Sequence, residues 1–203
     1  MRPGPVRAHD VCEHVAIVHR DVDELSRLLA PKLQRAAMEE ASVLLCLDPE
    51  AEARVRADVG SICDGFTVIP ADSRYATPGR AMSALHEFVA DARLAGTSTA
   101  WSIGAIPLGL DGRDSRWIRY EEAVDEVFAG MPLRAVCLYD AHRTPASIRT
   151  QVGGSHQQIE GEWVPAPDPD ASSELGVPSR PAELHLRNPS PRETRRARPQ
   201  RFS

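Results

Sequence analysis

Between residues 14 and 152, short continuous apolar runs alternate with longer stretches in which apolar residues return every three or four positions. The first rhythm predicts strands buried on both faces, and the second predicts amphipathic helices laid against them. Strands are expected at 14–19, 43–47, 66–70, 99–104 and 133–139, followed in turn by helices at 21–40, 50–59, 81–94, 117–128 and 146–151. In the first helix Leu25, Leu28, Leu29, Leu33 and Ala37 make one stripe, and Asp21, Asp23 and Glu24 suit its positive end. Pro31 lies inside it and is expected to kink it or divide it in two. Pro49 suits a first helical position, and Gly60 and Gly96 suit helix ends. Five β-α units with right-handed crossovers imply an α/β fold of three layers, a mostly parallel sheet between helices. The strand order does not follow from the pattern.

The cadence stops before the chain does. From residue 161 onward the 203-residue sequence holds eight of its 17 prolines, which cannot sustain a ladder or a long helix. The chain therefore divides into an α/β body, 1–160, and a Pro/Arg-rich tail, 161–203, expected to be extended or partly disordered. Residues 187–203 set six arginines against one glutamate, while the whole chain carries a net charge of −5. A basic tail can dock on the acidic body or on a partner, but direct nucleic-acid binding by the body is not expected. Cys12, Cys46, Cys63 and Cys137 lack CxxC spacing, and Cys46 and Cys137 sit in apolar runs. Buried thiols in a reducing cytoplasm are the expectation, with no disulfide scaffold. No leader pattern and no long apolar stretch is present, so membrane attachment is not expected.

The familiar phosphate sites are missing. The first strand-to-helix turn, His19-Arg20-Asp21-Val22-Asp23-Glu24, has neither the glycines nor the lysine of a P-loop, and Lys32 is the only lysine in the chain. No GxGxxG follows the first strand either. The five-residue spacing of His9, His14 and His19 matches no metal motif, and on a strand His14 and His19 face opposite sides, so no metal site is expected. His14 is either bonded to neighbouring main chain or a ligand contact, whereas His19 ends its strand, where open parallel sheets place their crevice. Trp117, Tyr120 and Glu121 share one helix side, as a ligand wall or as a packing stripe with Arg119 and Glu122 in solvent. Tyr139, Asp140, His142 and Arg143 gather a phenol, a carboxylate, an imidazole and a guanidinium after the fifth strand. They either meet a ligand or interface, or cap the helix that follows. No nucleophile elbow accompanies them, so no catalytic residue is assigned. The competing reading is an enzyme that uses Tyr139, Asp140 and His142 on a small anionic metabolite held by Arg119 or Arg143.

These segments resemble the MEDS domain, the sensory domain named for methanogen and methylotroph regulators of the DcmR type and also found beside anti-sigma-factor kinase domains. The resemblance spans most of residues 14–160. It is carried by His14, the Trp117-Ile118-Arg119-Tyr120-Glu121 run, the Cys137-Leu138-Tyr139-Asp140 strand end and His156. It implies a RecA-like or KaiC-like core without a functional phosphate loop, serving sensing or regulation and no established reaction. The expected ligand-binding residues are then His14, His19, Trp117, Arg119, Tyr120, Glu121, Tyr139, Asp140, His142, Arg143 and His156. No cofactor is assigned. Expected partners are a small-molecule ligand, a separately encoded regulator, kinase or transcription factor, or a second copy of the chain.

Overall fold

The computed structural model describes residues 12–109 and 114–163; His9 and the basic end of the tail lie outside them. Six strands are present: β1 (Glu13–His19), β2 (Ser42–Cys46), β3 (Thr67–Val68), β4 (Ala100–Ala105), β5 (Leu133–Asp140) and β6 (Gln158–Glu160). They form one sheet in the order β3-β2-β4-β5-β1-β6, and every neighbouring pair is parallel. Helices α1 (Val22–Met38), α2 (Pro49–Val59), α3 (Ala71–Arg74), α4 (Pro78–Leu94), α5 (Asp114–Val127) and α6 (Ala146–Ser155) connect them. No described helix is long and apolar enough to cross a membrane.

All five expected strands and their helices are found, with ends displaced by a few residues. The mostly parallel sheet is wholly parallel among the described residues, and it gains a sixth strand that the pattern did not announce. β6 offers only Ile159 as an apolar residue, and its pairing with β1 over Val15–Ile17 is what makes it a strand. The expected break at Pro31 does not occur, and α1 runs through it unbroken. Burial of Leu25, Leu29, Leu33 and Ala36 against the sheet outweighs the lost hydrogen bond at that turn. Ala36, and not Ala37, completes the stripe. Three helix starts are capped by side chains, with Asp21 accepting from the Glu24 amide at 2.8 Å, Asp48 from Ala51 at 2.9 Å and Thr77 from Arg80 at 3.2 Å. Each such cap contributes about 1 kcal/mol.

The two faces of the sheet bury different cores. Ile17, Leu45, Ile103, Val136 and Leu138 pack with α1 and α2, whereas Ala16, Leu44, Cys137 and Tyr139 pack with α4, α5 and α6. All four cysteines are buried and free, Cys46 and Cys137 as their place in apolar runs implied and Cys12 and Cys63 without that signal. Packing continues past residue 160, since the Trp163 ring lies 6.2 Å from that of Tyr139 and under the Arg149 guanidinium at 5.4 Å.

Gly104 is required by a close approach. A Cβ there would run into the Tyr75 hydroxyl, which lies over β4. Gly104→Ala is expected to lower stability by about 1–3 kcal/mol, as overpacking does, read as a lower urea midpoint at unchanged slope.

Candidate functional site

Parallel strands that send their helices to opposite layers leave a crevice at their carboxyl ends. Here β1 and β2 feed α1 and α2 on one face, while β4 and β5 feed α5 and α6 on the other. A cavity of about 250 Å³ opens at this place. Its floor and walls are Ala71, Ala105, Ile106, Pro107, Leu108 and Leu138, and its polar groups are His19, Asp48, Asp72, Tyr75, Asp140 and Arg143. Asp140 is positioned by its own turn, its Oδ1 accepting from the His142 amide at 2.8 Å and the Arg143 amide at 3.1 Å. Burial holds the His19 imidazole below its ordinary pKa, against the opposing pull of Asp140. Three carboxylates against one guanidinium and a neutral imidazole make this a crevice for neutral or cationic groups.

A second cluster lies inside the α4–α6 layer. The register that sets Ala16 beside Cys137 also turns His14, Cys137 and Tyr139 toward α5. Gln157 latches the end of α6 onto β1, its amide donating to the His14 carbonyl at 2.9 Å and its Nε2 to the Cys12 carbonyl at 3.0 Å. His156 is thereby held beside His14, with ring centroids 4.1 Å apart. Glu121, 0% exposed, enters from α5 between them. Its Oε2 lies 3.0 Å from His14 Nε2 and 3.3 Å from His156 Nε2. Cys137 Sγ is 3.3 Å from the same His14 nitrogen, and the Tyr139 hydroxyl is 3.3 Å from that of His156. Burial works to raise the Glu121 pKa, but the two histidines outweigh it and hold the carboxyl at about 2. Burial, with the Glu121 charge beside it, pushes both the Cys137 thiol and the Tyr139 phenol well above their usual values.

The expected residues thus part into four groups. His14, Glu121, Tyr139 and His156 meet in the buried cluster, while His19, Asp140 and Arg143 meet at the crevice. His14 and His19 face opposite sides, as strand alternation required. Trp117 and Tyr120 are buried in a packing stripe, their rings 5.6 Å apart and both edge-on to Tyr75. Neither lines the crevice. Arg119 and His142 are exposed, and neither reaches either place. The trio Tyr139, Asp140 and His142 does not converge, because adjacent strand residues point to opposite faces and His142 follows in an exposed turn. Asp140 caps that turn and not α6, which starts after Pro145 without a side-chain cap. Cys137, in the buried cluster, and Asp125, whose Oδ1 lies 3.3 Å from His14 Nδ1, were missed as site residues. Cys137 has a signal in its alternation with Tyr139 on β5, and Asp125 in its place one helical turn after Glu121.

Glu121 and Arg119 sit two residues apart on α5 and separate a buried role from an exposed one. Glu121→Ala, which strands two buried imidazoles, is expected to cost about 3–5 kcal/mol in chemical denaturation. Arg119→Ala is expected to change stability by less than about 0.5 kcal/mol.

No curated protein and no solved structure matches the chain. One family model does, the MEthanogen/methylotroph, DcmR Sensory domain, over residues 13–157. That span opens one residue before His14 and closes one residue after His156, so it encloses both the crevice and the buried cluster. The chain belongs to the MEDS family, and residues 13–157 are its sensory domain.

Proposed function

We propose that this sensory domain detects a small, neutral or cationic polar molecule bound at the carboxyl ends of β1, β2, β4 and β5. The observation that carries the reading is the crevice itself, which lies where the connections leave for opposite helical layers and gathers His19, Asp48, Asp72, Asp140 and Arg143 over an apolar floor. Its volume of about 250 Å³ favours a compact ligand. The anionic metabolite of the enzymatic alternative fits it less well, since carboxylates dominate the wall and Arg119 lies elsewhere. The RecA-like or KaiC-like character of the core belongs to the same proposal. It is supported by the parallel sheet with β1 in its interior.

A sensor also needs a route outward. Tyr75 lines the crevice and meets Trp117 and Tyr120 at ring distances of 5.7 and 6.5 Å, so a ligand that moves Tyr75 shifts the seating of α5. A ligand that prefers one seating shifts the population by its difference in affinity. A separately encoded regulator reading that difference completes the proposal, in keeping with the sensory family.

A thermal-shift screen of small alcohols, amides, amines and carboxylic acids against the full chain tests this. A neutral or cationic hit is expected to raise Tm, and Ala105→Phe, which fills the crevice, is expected to remove the shift while the exposed His142→Ala retains it. No shift across the screen, or one that survives Ala105→Phe, counts against the crevice as the sensing site.

A further inference from the structure

We propose that His14, Glu121, Cys137 and His156 form a binding site for a divalent zinc ion. The site lies inside the α4–α6 layer and is separate from the ligand crevice. Two imidazole nitrogens, a carboxylate oxygen and a sulfur, delivered by β1, α5, β5 and the segment after α6, lie within 4.8 Å of one another. Zinc bonds of 2.0–2.3 Å arranged tetrahedrally separate their ligand atoms by about 3.3–3.8 Å. Three of the separations here are 3.0, 3.3 and 3.3 Å and none exceeds 4.8 Å, so seating an ion takes outward shifts on the short edges and inward shifts of up to about 1 Å on the long ones.

Proton positions point the same way. His156 Nδ1 lies 2.7 Å from the Val152 carbonyl oxygen, which can only accept, so Nδ1 carries a proton. With Nδ1 turned to that carbonyl, Nε2 is the ring nitrogen that faces Glu121. Behind His14, Nδ1 lies 3.3 Å from Asp125 Oδ1, an ion-pair distance without hydrogen-bond alignment. A carbonyl behind one histidine and a carboxylate behind the other are the outer partners that orient zinc-bound imidazoles. Inside the cluster, Glu121 Oε1 has no hydrogen-bond partner among the described residues and is free to meet an ion.

Charge closes the argument. A zinc ion with one carboxylate, one thiolate and two neutral imidazoles is neutral overall, which suits a fully buried place. Binding transfers the Cys137 thiol proton to the buffer, with no change in oxidation state. The donor set, two nitrogens with one oxygen and one sulfur, favours zinc over magnesium or calcium, which prefer oxygen alone. Asp125, beside His14 Nδ1, has a side chain 40% exposed, so this flank of the site reaches solvent.

The test uses the tag-free full chain. After dialysis, one zinc per chain is expected by elemental analysis, and cobalt added to the metal-stripped protein is expected to give a thiolate-to-cobalt charge-transfer band. Cys137→Ser, close to isosteric, is expected to abolish that band. His156→Gln is expected to weaken zinc binding by about 100-fold or more, and Asp125→Asn by about 10-fold. Circular dichroism confirms that each variant is folded, and the wild-type cobalt spectrum stands even where a variant is not. Folded wild-type chain that takes up neither ion overturns the proposal and leaves a metal-free Glu121–histidine network. Zinc retained equally by folded Cys137→Ser and His156→Gln also overturns it.

Discussion

A carboxylate taken wholly out of water must be met by compensating charge or hydrogen bonds, or it costs several kcal/mol. Glu121 imposes that condition on this fold. Its partners come from β1 and from the end of α6, so satisfying one side chain fixes three segments against one another. Gln157 makes the arrangement definite by bonding main chain on both sides of Glu13. β6 then pairs along β1 in a register its own sequence is too short to choose.

The strand β5 divides the labour of the molecule by simple alternation. Cys137 and Tyr139 point into the layer of α4, α5 and α6, while Leu138 and Asp140 line the crevice or the opposite core. A one-residue slip would exchange the two sets, which is why the parallel pairing with β1 and β4 over most of its length matters. Tyr75 is the element common to both sides, lining the crevice and packing at near right angles to Trp117 and Tyr120, with the Arg74 guanidinium 5.6 Å from its centroid.

Much of the fold was legible because a strand covered on both faces leaves a continuous apolar run, and residues 43–47 and 133–139 are of that kind. β6 and the four-residue α3 were not, since each is held by neighbours and carries little periodicity of its own. Pro31 misled for the opposite reason, a strong local signal overruled by burial of the stripe around it. In the site, His14, Glu121 and His156 stood out through family resemblance, but their meeting did not. They are 107 and 35 residues apart, and only the strand order brings them together. The apparent chemistry of Tyr139, Asp140 and His142 came from nearness in sequence, which a pleated strand undoes.

The position of β1 in the sheet has a consequence for the making of the protein. Its neighbours are β5 and β6, the last of the described strands to be synthesised. A nascent chain must therefore carry Val15-Ala16-Ile17-Val18 without its partners until more than a hundred further residues have left the ribosome. Closing so long a loop delays folding, and an unpaired apolar strand invites association with other chains meanwhile. The charged residues that follow at once, in His19-Arg20-Asp21-Val22-Asp23-Glu24, end the apolar run in the pattern by which charge limits such association.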